Sequence, residues 1–111
     1  MWYLENLTYA DLSLVNLSGA KLYGANISYS QLRFSIIVGV EHESLELEES
    51  NFKDAIIDDD EDLSNHLSER EAKNVPPALK SKKELRDKLQ KRGVSSSIIE
   101  HVLSRSVLKI K

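Results

Sequence analysis

A chain of 111 residues with a formal net charge of −3 has room for one domain, or one small domain with an appendage. It has no cysteine, which excludes a disulfide framework and a thiolate metal site and makes a reducing, cytoplasmic setting the expectation. No window approaches the roughly 20 apolar residues of a membrane span, and no basic segment leads into an apolar run, so neither a membrane anchor nor a secretion signal is expected. Charge is divided unevenly along the chain. Residues 1–62 hold 13 acids and 3 bases, net −10, and residues 63–111 hold 12 bases and 5 acids, net +7. Two units with different partners, or two halves that attract each other, follow from such a division.

From Asn6 the sequence reads "NLTYADLSLVNLSGAKLYGANISYSQL", with a large aliphatic residue at every fifth position: Leu7, Leu12, Leu17, Leu22, Ile27 and Leu32. Ile37 keeps the register, His42 interrupts it, and Leu47, Phe52 and Ile57 resume it. Two residues before each centre from Ala10 onward stands a small or aliphatic residue, from Ala10 and Val15 through Ser50 and Ala55. The residue between is mostly polar, as at Asp11, Asn16, Lys21, Asn26, Gln31 and Asn51, and Ser or Thr often follows the centre. A period of five fits neither a helix nor a flat strand.

The units "ADLSL", "ANISY" and "SNFKD" resemble the pentapeptide-repeat family, over about residues 3–60. The resemblance implies a mainly β fold: a right-handed quadrilateral β-helix of about three coils, each side five residues long and each coil twenty. One large and one small side chain per side then point to the axis, and positions twenty apart stack. Leu7, Ile27 and Leu47 share one side, Leu12, Leu32 and Phe52 the next, Leu17, Ile37 and Ile57 the third, and Leu22 and His42 the fourth. Three coils at about 4.8 Å each make a short stack whose ends need caps. Met1, Trp2 and Tyr3 are expected to plug one end and the C-terminal segment to close the other. At His42 a bulge or turn that leaves the ring partly solvated is expected. The sequons at Asn6, Asn16 and Asn26 follow from the repeat itself.

Residues 61–80 read as an acidic, Pro-containing linker with a short helix. The run Asp58–Asp62 favours a helix N-terminus, Ser68 to Glu71 has the form of a capping box, and Pro76 and Pro77 make a stiff joint. Residues 81–111 read as a helical hairpin. Ser81 with Glu84 forms a capping box, Leu85 and Leu89 a stripe, Gly93 a C-terminal cap, and Ser95 to Ser97 offer N-caps for a second helix with Ile98, Ile99, Val102, Leu103 and Val107. The stretch "KKELRDKLQKRGVSSSIIEHVLSR", within residues 82–105, resembles one helical repeat of RecX-family regulators of recombinase filaments.

No nucleophile, acid–base pair, metal-ligand set or phosphate loop stands out, so no enzyme activity, catalytic residue, metal, cofactor or small-molecule substrate is expected. Two residues after the centres stand Tyr9, Leu14, Tyr29 and Phe34, expected as an outward apolar patch covered either by the chain's own helices or by a protein partner or a second subunit of a homo-oligomer. The alternative is a DNA-mimicking or nucleic-acid-associated regulator, of the topoisomerase-binding kind suggested by the family resemblance or acting through phosphate contacts from Lys82, Lys83, Arg86, Lys91 and Arg92.

Overall fold

The structure is a computed structural model that describes residues 7–58 and 61–108. Met1, Trp2 and Tyr3, expected as a plug, lie outside the described residues. Residues 7–58 wind as repeated turns whose parallel pairing partners are twenty residues apart: Asp11 with Gln31, Gln31 with Asn51, Asn16 with Ile36, Lys21 with Glu41 and Asn26 with Glu46. The backbone bonds run between neighbouring turns, as where Leu12 donates to the Gln31 carbonyl at 2.7 Å and Gln31 to that of Ala10 at 2.9 Å. Among the described residues, regular strand is confined to β1 (Ile36–Ile37) and β2 (Ile56–Ile57), which pair in parallel.

Local chemistry makes the five-residue unit. Tyr9, Leu14, Gly19, Gly24, Tyr29, Phe34, Gly39, Ser44, Glu49 and Asp54 all take left-handed φ, between 53° and 71°, so the chain turns once every fifth residue. The side-chain oxygens of Asp11, Asn16, Asn26 and Asn51 each accept the N–H two residues on, at 3.0 Å. These Asx turns explain the polar residue before the centre. Inside, Leu22, Ile27, Leu32, Ile37, Leu47, Phe52 and Ile57 are buried along the axis. The small positions fit between them, and the buried Ser35 and Ser50 hydroxyls donate to the carbonyls of Leu32 and Ile27 at 2.6 and 2.7 Å. At the first turn Leu7, Leu12 and Leu17 are only partly buried.

α1 (Glu61–Glu69) closes the other end, because its i, i+4 pair Leu63 and Leu67 joins the axis core. Ser68 to Glu71 is therefore the end of a helix and not a capping box at a start. Glu71 is left-handed, and the Ala72 N–H returns to the Leu67 carbonyl at 3.1 Å. The following residues lie on the last turn: Lys73 pairs with Asn51, and Leu79 with Asp58.

Of the bulge or turn expected at His42, the structure has the ordinary corner turn at Ser44 and a partly exposed ring, without a bulge. Leu22 donates to the Glu41 carbonyl at 2.8 Å, Gly24 to Glu43 at 3.0 Å and Leu45 to His42 at 3.1 Å, so the register runs through unbroken. The half-buried ring is accommodated at the end of the axis, where α1 supplies His66 edge-on at 5.6 Å between ring centroids. His66 Nε2 lies 2.6 Å from the Leu45 carbonyl and so carries the proton.

α2 (Lys82–Lys91) and α3 (Ser96–Arg105) form the hairpin. Ser81 caps α2 by accepting from Glu84 N–H at 3.1 Å, while the Glu84 carboxylate takes the Lys80 N–H at 3.3 Å. Gly93 at φ 76° ends α2, with Val94 donating to Leu89 at 3.2 Å. Ser95 is the N-cap position of α3, without a side-chain bond. The buried Leu85, Leu89, Ile99, Val102 and Leu103 close on Ile36, Val38 and Ile56 of the coil, forming a second core. β1 and β2 serve both cores: Ile37 and Ile57 face the axis, Ile36 and Ile56 the hairpin.

Two devices fix the hairpin in place. An added Cβ on Gly39 would lie 1.7 Å from the Arg105 carbonyl oxygen, so α3 ends directly against that glycine. Asp58 is buried between coil and hairpin, accepting from Val107 N–H at 3.0 Å, the Ser106 hydroxyl at 3.1 Å and Gly39 N–H at 3.3 Å. Burial raises its pKa above the ordinary carboxylate range, against the opposing pull of the bonds from Val107, Ser106 and Gly39.

Candidate protein-interaction surface

The left-handed corner positions decide which side chains leave the coil. Tyr9 is 77% exposed and Leu14 78%, and Tyr29 and Phe34 on the next turn are 40% and 41% exposed. The Tyr9 and Tyr29 rings stack with centroids 5.1 Å apart and planes 10° from parallel. Left-handed backbone costs a non-glycine residue roughly 1–2 kcal/mol. Glycine fills the same position at 19, 24 and 39, so bulky apolar residues at 9, 14, 29 and 34 spend strain on surface exposure.

The helices leave this patch uncovered. They lie on Ile36, Val38 and Ile56, and among the described residues Arg92 reaches over, its guanidinium carbon 5.5 Å from the Phe34 ring centroid. That guanidinium donates to the Phe34 carbonyl at 3.2 Å and to the Asp54 carbonyl. Partial burial lowers the Arg92 pKa, opposed by the charge of Asp54, and the group stays protonated.

The basic residues singled out in the hairpin divide. Arg86 is bound to Glu100 of α3, which holds the Glu100 carboxyl below its usual range. Arg92 is held at the corner, Lys82 is half-buried, and Lys83 and Lys91 are exposed. The acids of the last turn find their bases elsewhere: Glu49 pairs with Lys73 at 3.0 Å and Glu48 with Arg70 at 3.8 Å, both from the segment after α1.

The repeated corner, the Asx turns at Asp11, Asn16, Asn26 and Asn51 and the twenty-residue pairing offset identify the coil's building unit. Residues 6–33 match the pentapeptide-repeat family. That family's model is described as pentapeptide repeats (8 copies), and residues 78–105 match a second model, RecX, first three-helix domain. No curated protein and no solved structure matches the chain. Within the RecX-like stretch the structure holds two helices, α2 and α3, and their apolar faces meet the pentapeptide coil.

Sequence reasoning missed this docking face. Its signal is present: Ile36 and Ile56 stand at the usually polar position before the centre, twenty residues apart, with Val38 beside them, all buried. It also missed Arg92 at the Phe34 corner, for which the sequence carries no signal.

Proposed function

We propose that the chain is a non-enzymatic protein-interaction and self-assembly module. In this reading the pentapeptide stack is a right-handed quadrilateral β-helix of about three coils, residues 61–80 are its cap and connector, and residues 81–111 are a helical hairpin. Tyr9, Leu14, Tyr29 and Phe34 are the interface. The observation that carries the reading is their exposure at strained corners while the chain's own helices cover a different face.

Aromatic anchors carry a disproportionate share of interface energy, on the order of 2 kcal/mol each. The double substitution Tyr29→Ser with Phe34→Ser is expected to separate the assembly or its partner without unfolding the chain, because neither residue points to the axis. Sedimentation of wild type and variant at low and high salt tests this. A monomeric wild type that captures no protein lost on mutation contradicts it. The alternative, DNA mimicry or phosphate contact through Lys82, Lys83 and Lys91, predicts a complex that weakens steeply as salt rises. Glu48 and Glu49, already neutralised within the chain, argue against mimicry.

A further inference from the structure

The coil face between the two apolar corners is charged. Since Gln31 pairs with Asp11 and with Asn51, the residues two further along, Ser13, Arg33 and Lys53, occupy one outward column on successive turns. Neighbouring turns are about 4.8 Å apart, so two cations stand in register, an arrangement that is destabilising by itself. Arg33 and Lys53 are both exposed, and neither forms an ion pair among the described residues.

The groups around them are already engaged. The amide of Asn51 donates to Gln31 at 3.1 Å, and that of Asn74 donates to Asn51 at 3.1 Å, so the neighbouring polar column is bonded to itself. Asp11 is drawn to Ser13, whose hydroxyl first and N–H second hold its carboxyl below the usual range. Glu48 and Glu49 are taken by Arg70 and Lys73. What remains unmet is a pair of exposed cations: Arg33, flanked on its own turn by Tyr29 and Phe34, and Lys53, flanked by Glu49 and Asp54.

We infer that this face docks an acidic segment of a partner protein, its carboxylates on Arg33 and Lys53 and its aliphatic or aromatic anchors against Tyr29 and Phe34. The inference rests on the interface reading above and adds the partner's chemistry. A peptide fits better than a nucleic acid. Duplex DNA carries a charge about every 1.7 Å, and such a continuous polyanion running over this face would also meet the exposed acids Asp11 and Asp54. A short segment with spaced acids places its charge only where the cations are.

Fluorescence anisotropy with the full chain tests it, using labelled synthetic peptides. One alternates Asp and Glu with Leu and Phe, a second keeps the anchors but carries Lys for the acids, and a third keeps the acids but carries Ser for the anchors. Labelled oligothymidylate is a fourth probe. The acidic, anchored peptide is expected to bind at least about tenfold more tightly than the others, and Arg33→Gln with Lys53→Gln to remove that preference and its salt dependence. Equal binding of the first two peptides, no binding of the first, preference for oligothymidylate, or an unchanged preference in the double variant each overturns the inference. Circular dichroism checks that the variant is folded. If Arg33→Gln with Lys53→Gln assembles as wild type while Tyr29→Ser with Phe34→Ser does not, the interface stands and the acidic partner falls. If neither pair of substitutions changes assembly, both fall.

Discussion

Leu32 and Asn26 show how sharply the five-residue unit separates inside from outside. Leu32 is fully enclosed on the axis, whereas the Asn26 side chain needs only an oxygen to accept the Ser28 N–H at 3.0 Å. Leu32→Asp buries an unpaired charge at a cost of several kcal/mol, against a typical domain stability of about 5–15 kcal/mol, and is expected to unfold the coil. Asn26→Asp keeps the acceptor and should be mild. Equal melting temperatures for the two variants would refute the register.

Asp58 belongs to the same scale. A carboxyl whose pKa is raised on folding binds its proton more tightly in the folded state. Its contribution to stability is therefore fully present below the ordinary carboxylate pKa and is lost as pH rises through the raised value. Asp58→Asn removes this titration, so the variant should gain on wild type as pH climbs through that window. Chemical denaturation across acid to neutral pH measures the difference, and a variant-minus-wild-type stability that stays constant or falls as pH rises contradicts it. Asp58→Ala, which orphans the Gly39 and Val107 N–H groups, should cost about 1–3 kcal/mol.

At the scale of elements, the contact of α3 with the coil is steric as well as apolar. Gly24 and Gly39 share left-handed φ, but an added methyl meets nothing within 4 Å at Gly24 and the Arg105 backbone at Gly39. Gly24→Ala should cost only the conformational strain, roughly 1–2 kcal/mol. Gly39→Ala must push α3 away, so hydrogen exchange should accelerate in α2 and α3 while the axis turns stay protected. Matching exchange in both variants would show that the hairpin is not seated on Gly39. The charge division along the chain does little for this contact: α2 finds its ion pair in α3, from Arg86 to Glu100, and the coil acids find theirs in Arg70 and Lys73.

For the whole molecule, the two cores are joined through adjacent residues of the same backbone. Ile36 and Ile56 serve the hairpin core while Ile37 and Ile57 serve the axis, so β1 and β2 couple global unfolding of the two cores. Helical and β signals in circular dichroism are expected to melt in one coincident transition. Two separated transitions would show that the hairpin comes away as its own unit. No helix among the described residues is long and apolar enough to cross a membrane.

The coil was legible because its rule is local. A large apolar residue at nearly every fifth position, a mostly polar residue before it and a left-handed residue two after it repeat within one short window, and each unit's geometry comes from its own five residues. The hairpin was legible for the same reason, through Ser81, Gly93 and the Leu85–Leu89 stripe. By itself the sequence thus determined the coil's register, the hairpin's helices and the outward direction of Tyr9, Leu14, Tyr29 and Phe34. Only the tertiary structure decided that the hairpin lies on Ile36, Val38 and Ile56, that α1 seals the axis and seats His66 beside His42, and that Arg92 reaches Phe34. Those choices depend on shape and apolar complementarity between residues tens of positions apart, which no short-range pattern encodes.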